Sequence, residues 1–413
     1  MAKNKNRYGF RMLAENERIS DDTRETGLNN NDLIIGTSGT GKTGGYVIPA
    51  IQNISGNLVV SDSKGLLEPR FRNELEKKGY QVYSLDFVNP LNSCGYNPLK
   101  FIRRNHDGSV REQDVISISK ILCPQLDKTE LIWDQCAQGY VSFLISYCLE
   151  AEDPEDHNMS MICELRRTFS QPNGQMLFAD WVEAHPDSYA SKKYHELMFN
   201  RTAEKMWSSV EGFVSSNFEV FNIREVAHIF EQKDGIDLND LGNKKTVVFI
   251  HQSDTDRAFD NIVNLFQSQV LTTLCAQADK NPDGRLKIPV RMIMDDFASG
   301  STIPDFDKVI SVIRSRDIST SLIIQSLTQL ETLYDHPTST TIINNCDNIL
   351  FLGGQDKDTA EYIAYRAMKT PETILMMPRD SMYLIRSGEQ ARLVKKIAPY
   401  STLEKKNSGF QAE

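Results

Sequence analysis

The sequence predicts an α/β fold in which a central, mainly parallel sheet is covered by helices on both faces and interrupted by a long all-α insertion. Three observations predict it. Short β-branched runs alternate with helical stretches towards both ends of the chain, which is the pattern of parallel strands joined by covering helices. Strand signals fade between about residue 102 and residue 240, where helical spacing takes over. A glycine-rich loop directly follows the first buried run, Leu33 to Ile35.

The elements follow in order. Candidate strands cover Asp32–Gly36, Asn57–Asp62 and Tyr80–Asp86, with helices over Thr43–Ile54 and Leu66–Lys78 between them. A second block supplies strands at Thr246–His251, Val290–Met294, Thr320–Gln325, Asp347–Leu352 and Met382–Arg386. Between the blocks, Val141, Leu144, Ile145 and Cys148 fall on one helical face. A helical domain explains that stretch better than a loop of the same length. The Asp-rich segment Glu150–Asn158 reads as a turn within it, and no internal repeat is visible. The expected organisation is an N-terminal extension (1–30), an α/β domain divided between 31–101 and 241–400, an inserted all-α domain (102–240) and a polar tail (401–413).

The 413 residues suffice for two or three domains, at about 150 residues each. With 46 Lys and Arg against 56 Asp and Glu, the net charge is −10. That balance excludes a protein that coats duplex DNA by bulk charge and leaves room only for a local basic channel. No apolar run reaches the roughly 18 residues of a membrane helix. The opening MAKNKNRYGFRMLAENER lacks the apolar middle of a secretion signal. Seven cysteines without a C-x-x-C pair read as small core residues of a reducing cytoplasm, neither a disulfide scaffold nor a zinc site.

GTSGTGKT at residues 36–43 fits G-x-x-x-x-G-K-[ST] in full, after a strand and before a helix. Gly36, Thr37, Ser38, Gly39, Thr40, Gly41, Lys42 and Thr43 thus form a candidate cradle for the phosphates of ATP. The glycines let successive N–H groups face an anion at the positive end of the following helix. Lys42 would reach the β and γ phosphates, and the Thr43 hydroxyl would ligate Mg²⁺. The competing reading is a glycine-rich turn; the strand, the Lys and the Thr in register argue against it.

A nucleoside-triphosphate motor also needs a carboxylate at the end of a neighbouring strand. Val290–Met294 followed by Asp295-Asp296 is the best such site. Asp295 is the candidate for the magnesium shell and Asp296 for orienting or deprotonating water; the alternative is a pair of helix-capping acids. The long stretch between Lys42 and Asp295 agrees with a large insertion.

At this point the residues resemble the type IV coupling proteins of conjugation and type IV secretion, the TraG/TraD kind. Asp62-Ser63-Lys64-Gly65 is similar to that family's D-P-K-G-E element, and Tyr96-Asn97-Pro98-Leu99 to its N-P-L element. DDFASGSTIPDF at 295–306 resembles D-E-F-A-x-x-x-x-I-P, and Arg314-Ser-Arg316 the following R-S segment. Gln325-Ser326-Leu327-Thr328-Gln329-Leu330 matches Q-S-x-x-Q-L, and Asn345-Cys346-Asp347, Gly353-Gly354 and Asp356 match N-C and G-G-x-D. The resemblance spans roughly 30–100 and 245–390. It implies a RecA-like, hexameric, DNA-pumping ATPase whose inserted helices correspond to the family's all-α domain.

The resemblance further implies that Gln325 senses the γ-phosphate and that Arg314 is a finger reaching into the next subunit's site, with Arg316 as its rival. The implied partners are DNA gripped without sequence preference and most readily single-stranded, relaxase proteins bound to that DNA, and components of the secretion channel. Three departures stand out. Asp295-Asp296 replaces the usual Asp-Glu, one methylene shorter at the candidate base. Leu66 replaces the acid of D-P-K-G-E. Tyr8-Gly9-Phe10-Arg11 resembles the segment that follows the family's transmembrane anchor, so the chain begins where that anchor would end. Either the anchor has been removed from this chain or the chain naturally lacks one and docks on a separate membrane protein; a cytoplasmic protein at the inner face of the membrane is the expectation. A docking receptor with little hydrolysis and a chromosome-partitioning translocase of the FtsK kind are the alternatives.

The basic pairs Arg103-Arg104, Arg166-Arg167, Lys192-Lys193 and Lys244-Lys245 read as ordinary solvated surface unless a ring repeats them along a channel. Trp133, Phe143, Tyr147, Trp181 and Trp207 read as core at helical spacing in preference to a stacking platform.

Overall fold

The computed structural model describes residues 7–125, 131–253, 255–298 and 301–398; the expected polar tail lies outside them. Eleven strands are present among these: β1 (Phe10–Ala14), β2 (Glu17–Ser20), β3 (Asp32–Gly36), β4 (Asn57–Ser61), β5 (Gln81–Asp86), β6 (Thr246–His251), β7 (Val290–Met294), β8 (Ile318–Ile324), β9 (Asn348–Gly353), β10 (Ser381–Arg386) and β11 (Arg392–Lys395). Nine of them form one sheet in the order β11-β10-β9-β3-β8-β7-β4-β6-β5, and β1 and β2 form a separate hairpin. The strands from β9 to β5 all run parallel, and β10 and β11 close one edge in antiparallel register.

Both sheet faces are buried, and β3, β6, β7 and β8 are buried along their whole length, polar residues such as Asp32, Arg291 and Thr320 included. Alternate residues serve the two cores. Leu33, Ile35, Val59, Met292, Met294, Leu322 and Ile324 face one; Ile34, Leu58, Val60, Ile293 and Ile323 face the other. The second is covered by the β1–β2 hairpin and the helices at Ile48–Gln52 and Leu67–Lys77. The first is covered by the long helix Asp260–Asp279 and by the helices that lie between β5 and β6.

Among the described residues, the regular elements of that intervening stretch are the helices Glu112–Leu122, Leu131–Ala151, Met159–Ser170, Ala179–Ala184, Tyr189–Asn200, Glu204–Phe218 and Arg224–Glu231, besides short 3-10 turns. Its core continues into the core under the sheet. Tyr96 packs edge-on to Phe266 with centroids 5.1 Å apart and lies 6.3 Å from Phe230, which meets Phe221 at 5.1 Å. Deeper in, Tyr140, Phe143, Phe169 and Phe178 form an aromatic cluster, with Tyr147 and Trp207 at its border. The candidate stacking aromatics are therefore core residues: Phe143, Tyr147 and Trp207 are buried, and Trp133 and Trp181 pack against them. The seven cysteines are all free, five of them buried.

Two elements differ from the sequence reading. The helix expected over Thr43–Ile54 opens as a wide π-type turn at Thr43–Val47 and becomes α-helical only at Ile48–Gln52. Pro49 can neither donate an amide to the preceding turn nor tolerate its crowding, so a widened turn suits it. The expected N-terminal extension is a folded hairpin whose Arg11 reaches the sheet: its guanidinium holds both Asp32 oxygens, at 2.8 and 3.0 Å, and donates to Asp21 and Asn30. Tyr46, Asn348 and Arg291 complete the shell around the fully buried Asp32. Burial alone would raise the Asp32 carboxyl, but the charges of Arg11 and Arg291 and their hydrogen bonds outweigh it and hold it below the ordinary range.

Candidate active site

β3 ends at Gly36, and the glycine-rich loop crosses the carboxyl ends of the parallel strands, where open α/β sheets carry their ligands. Close approach requires the first glycine: a Cβ on Gly36 would collide with the Thr40 side chain. Gly39 and Gly41 take φ of 78° and 94°, which curls the loop. The Thr40 hydroxyl donates to the Thr37 carbonyl at 2.8 Å, and the Thr37 amide donates to Gly353 of β9 at 3.2 Å. Lys42 Nζ folds back onto the carbonyls of Gly36, at 2.7 Å, and Thr37, at 3.3 Å. Ser38, Gly39 and Thr43 are exposed at the mouth.

Asp295 and Asp296 follow β7 at the same end of the sheet. Asp296 adopts φ of 49°, its amide donates to Asp295 Oδ1 at 3.0 Å, and the next amide, Phe297, donates to Ile323 of β8 at 3.0 Å. The turn is thus pinned to β8. Gln325, one residue past β8, brings its Nε2 to 3.5 Å from Asp296 Oδ1. Burial, followed by the charge of Asp296, raises the Asp295 carboxyl to about 6; Lys42 offsets part of that rise and Asp62 adds to it.

One detail of the sequence reading is corrected. Asp295 does not stand on the strand beside β3, because β8 pairs with β3 on one side and β7 on the other. The interposed strand carries Gln325 between the loop and the acids, as its position beside the nucleotide strand implies.

Sequence reasoning passed over two further groups in the same row. Asp86 ends β5 and His251 ends β6; His251 Nδ1 lies 3.3 Å from Asp86 Oδ2, and its Nε2 lies 3.5 Å from Asp62 Oδ2. Asp62 also accepts the amides of Leu66, Leu67 and Glu68 at 2.8 to 3.1 Å, capping the helix Leu67–Lys77. From β5 to β3, the strands therefore present Asp86, His251, Asp62, Asp295, Gln325 and the loop, one polar group at each carboxyl end. Position immediately after an apolar run was the available signal.

Arg314 lies elsewhere. It precedes β8, at the end of the sheet opposite the loop, is exposed, and donates to the Gly27 carbonyl at 2.5 Å. Arg316 is committed to Asp279 through two hydrogen bonds of 2.8 and 3.2 Å. Neither arginine can enter the site of its own chain. The other family-like segments brace the fold: Ser326 caps the helix Leu327–Tyr334, Thr328 and Thr359 bind Asp356, and Asp347 accepts the Asn29 amide. Arg103, Lys193 and Lys244 pair with Asp114, Glu196 and Asp240.

Among the described residues no trio of His, Cys, Asp or Glu gathers to hold a metal ion by itself. The oxygen donors Thr43 and Asp295 fit Mg²⁺ instead, which takes one or two protein oxygens and completes its shell with phosphate oxygens and water.

A loop of this form after a central strand, with acids on one flanking segment and an amide between, defines the class: the fold is that of a RecA-like P-loop nucleoside triphosphatase with an all-α part. The chain belongs to the family of type IV secretory system conjugative DNA transfer proteins, whose model matches residues 12–370. No curated protein matches it in sequence. Among solved structures it is similar to the bacterial conjugative coupling protein TrwBdeltaN70, with a TM-score of 0.67 and 15% identity over 89% of this chain and 84% of that one. The plasmid coupling protein TrwB in complex with ADP and Mg²⁺ matches with a TM-score of 0.64 and 14% identity, over 89% and 85%. VirB4 of Thermoanaerobacter pseudethanolicus matches with a TM-score of 0.54 and 13% identity, over 94% and 93%. No helix of the described residues is long and apolar enough to cross a membrane.

Proposed function

We propose that the protein is an ATP-driven coupling motor that recruits relaxase-bound, single-stranded DNA and moves it into a type IV secretion channel. The observation that carries this reading is the meeting of the phosphate loop, Asp295-Asp296 and Gln325 at one end of the sheet. TrwB has been captured with ADP and Mg²⁺ and with a non-hydrolysable ATP analogue, which supports the same ligands here.

In this mechanism the loop amides and Lys42 bind the β and γ phosphates, with Lys42 leaving the carbonyls of Gly36 and Thr37 to do so. Thr43 and Asp295 hold Mg²⁺, which when bound neutralises charge on the phosphate oxygens. Asp296 accepts a proton from the attacking water, and Gln325, beside it, orients that water and registers loss of the γ-phosphate. Arg314 cannot act in its own subunit, so it serves the next protomer of a homo-hexamer, where a finger contributes about 10³ to 10⁵ in rate. The inserted helices receive cargo, and the ring repeats basic residues along a channel that tracks phosphates without reading sequence. The motor works at the cytoplasmic face of the membrane with channel components and an anchor protein.

The test is ATP turnover by the purified chain with and without single-stranded DNA, alongside Lys42→Ala. Turnover stimulated by single strands and lost in the variant supports the motor. Tight binding without turnover, even with secretion partners present, supports a docking receptor instead, and stimulation only by long duplex supports a partitioning translocase.

A further inference from the structure

Lys396 lies beyond the residues that the family model matches, just after the edge strand β11, yet it touches the phosphate loop. Its Nζ donates to the Leu352 carbonyl of β9 at 2.6 Å and to the Thr40 carbonyl at 3.1 Å. The adjacent Ile397 carbonyl approaches Gly45 so closely that a Cβ there would lie 3.3 Å from it. The ammonium is half-buried in a cleft of about 470 Å³ floored by Thr37 to Thr40 and walled by Gly353 to Gln355 and Met377 to Arg379.

Peptide geometry gives this contact a consequence. In a trans peptide the C=O and the following N–H point in opposite directions, and the described chain has no cis peptides. A cation that draws the Thr40 carbonyl outward therefore aims the Gly41 amide inward. Gly41, at φ of 94°, has no side chain to hold that orientation against rotation. Lys42 instead holds the Gly36 and Thr37 carbonyls, and it must leave them to meet a phosphate, whereas Lys396 need not move.

We propose that Lys396 is a positioning residue for the triphosphate: it fixes the Thr40–Gly41 peptide so that the loop amides face the phosphates before ligand arrives. The inference rests on the ATP-binding reading above. Partial burial lowers the Lys396 pKa, and the ammonium makes two charge-assisted hydrogen bonds to backbone carbonyls.

The experiment compares the full chain with Lys396→Met, which keeps the aliphatic stem, and Lys396→Arg, which keeps the charge. Calorimetry measures binding of Mg²⁺ with a non-hydrolysable ATP analogue and, separately, of inorganic tripolyphosphate; steady-state turnover gives KM and kcat. Lys396→Met is expected to weaken both ligands about tenfold or more, the weight of a charge-assisted hydrogen bond. KM rises in step, kcat stays within about twofold, and Lys396→Arg recovers most of the loss. Binding of both ligands unchanged in Lys396→Met overturns the inference. So does a loss confined to the nucleotide, which assigns Lys396 to the base, or a lowered melting temperature with unchanged affinity. If Lys396→Met does not fold, Lys396→Gln takes its place under the same criteria. Failure of the unsubstituted chain to bind any triphosphate removes the ATP reading and this inference with it, a result distinct from all the others.

Discussion

Lys42 donates its hydrogen bonds to the loop's own carbonyls, so in the proposed mechanism phosphate binding exchanges those acceptors for phosphate oxygens. Lys42→Ala should therefore reduce triphosphate affinity at least tenfold and abolish measurable turnover while leaving the far-ultraviolet circular dichroism spectrum unchanged; equilibrium binding and a phosphate-release assay check it. Asp296 is placed by a left-handed backbone and the neighbouring Gln325 amide, and in the proposed mechanism it serves chemistry more than binding. Asp296→Asn should lower kcat about 10² to 10⁴-fold, the range of a lost general base, with KM within a few-fold. Asp32 sets a different dependence. Its folded-state pKa is depressed, so its stabilisation is fully present above the unfolded value of about 3.9 and is lost as pH falls through the lower folded value. The unfolding free-energy gap between the parent chain and Asp32→Asn, measured by urea titration, should be constant from about pH 5 to 8 and shrink below about pH 4. The loop residues and Asp295-Asp296 were legible in the sequence because motif and strand end coincide there. Asp32 was not, because its partners Arg11, Tyr46, Arg291 and Asn348 are gathered only by the sheet.

At the scale of elements, every strand from β3 to β10 was readable from its apolar run, to within about two residues. The β1–β2 hairpin was not, since it is short, half polar and turns at Asn16 with φ of 61°. The edge strand β11, largely exposed, carries no apolar signature at all. Strand order was hidden too: β8 enters between β3 and β7 because of long-range packing that no local pattern records. Some of the family-like segments join elements. Asp356 caps the helix Lys357–Ala367 and holds Thr328 on the neighbouring helix through two hydrogen bonds of 3.0 Å. Asp356→Ala should cost about 1 to 2 kcal/mol of unfolding free energy, by urea denaturation, and little nucleotide affinity.

For the whole molecule, the loop and Arg314 stand at opposite ends of one sheet, so in the proposed mechanism an arginine finger at Arg314 would serve the site of a second protomer. Lys42→Ala and Arg314→Ala proteins, each inactive alone, should recover part of the turnover when mixed, because some interfaces then pair an intact loop with an intact arginine. No recovery would mean that Arg314 serves no neighbouring site. The helices between β5 and β6 share a single hydrophobic interior with the sheet, through Tyr96, Phe230 and Phe266. They are consequently not a detachable module. Trimming residues 102–240 to a short linker would take Phe230 away from Tyr96 and open that shared interior, so in the proposed reading the part that receives cargo and the part that binds nucleotide would be inherited together. In that reading, new cargo preferences would arise on the outward sides of those helices, where a substitution leaves the shared interior untouched.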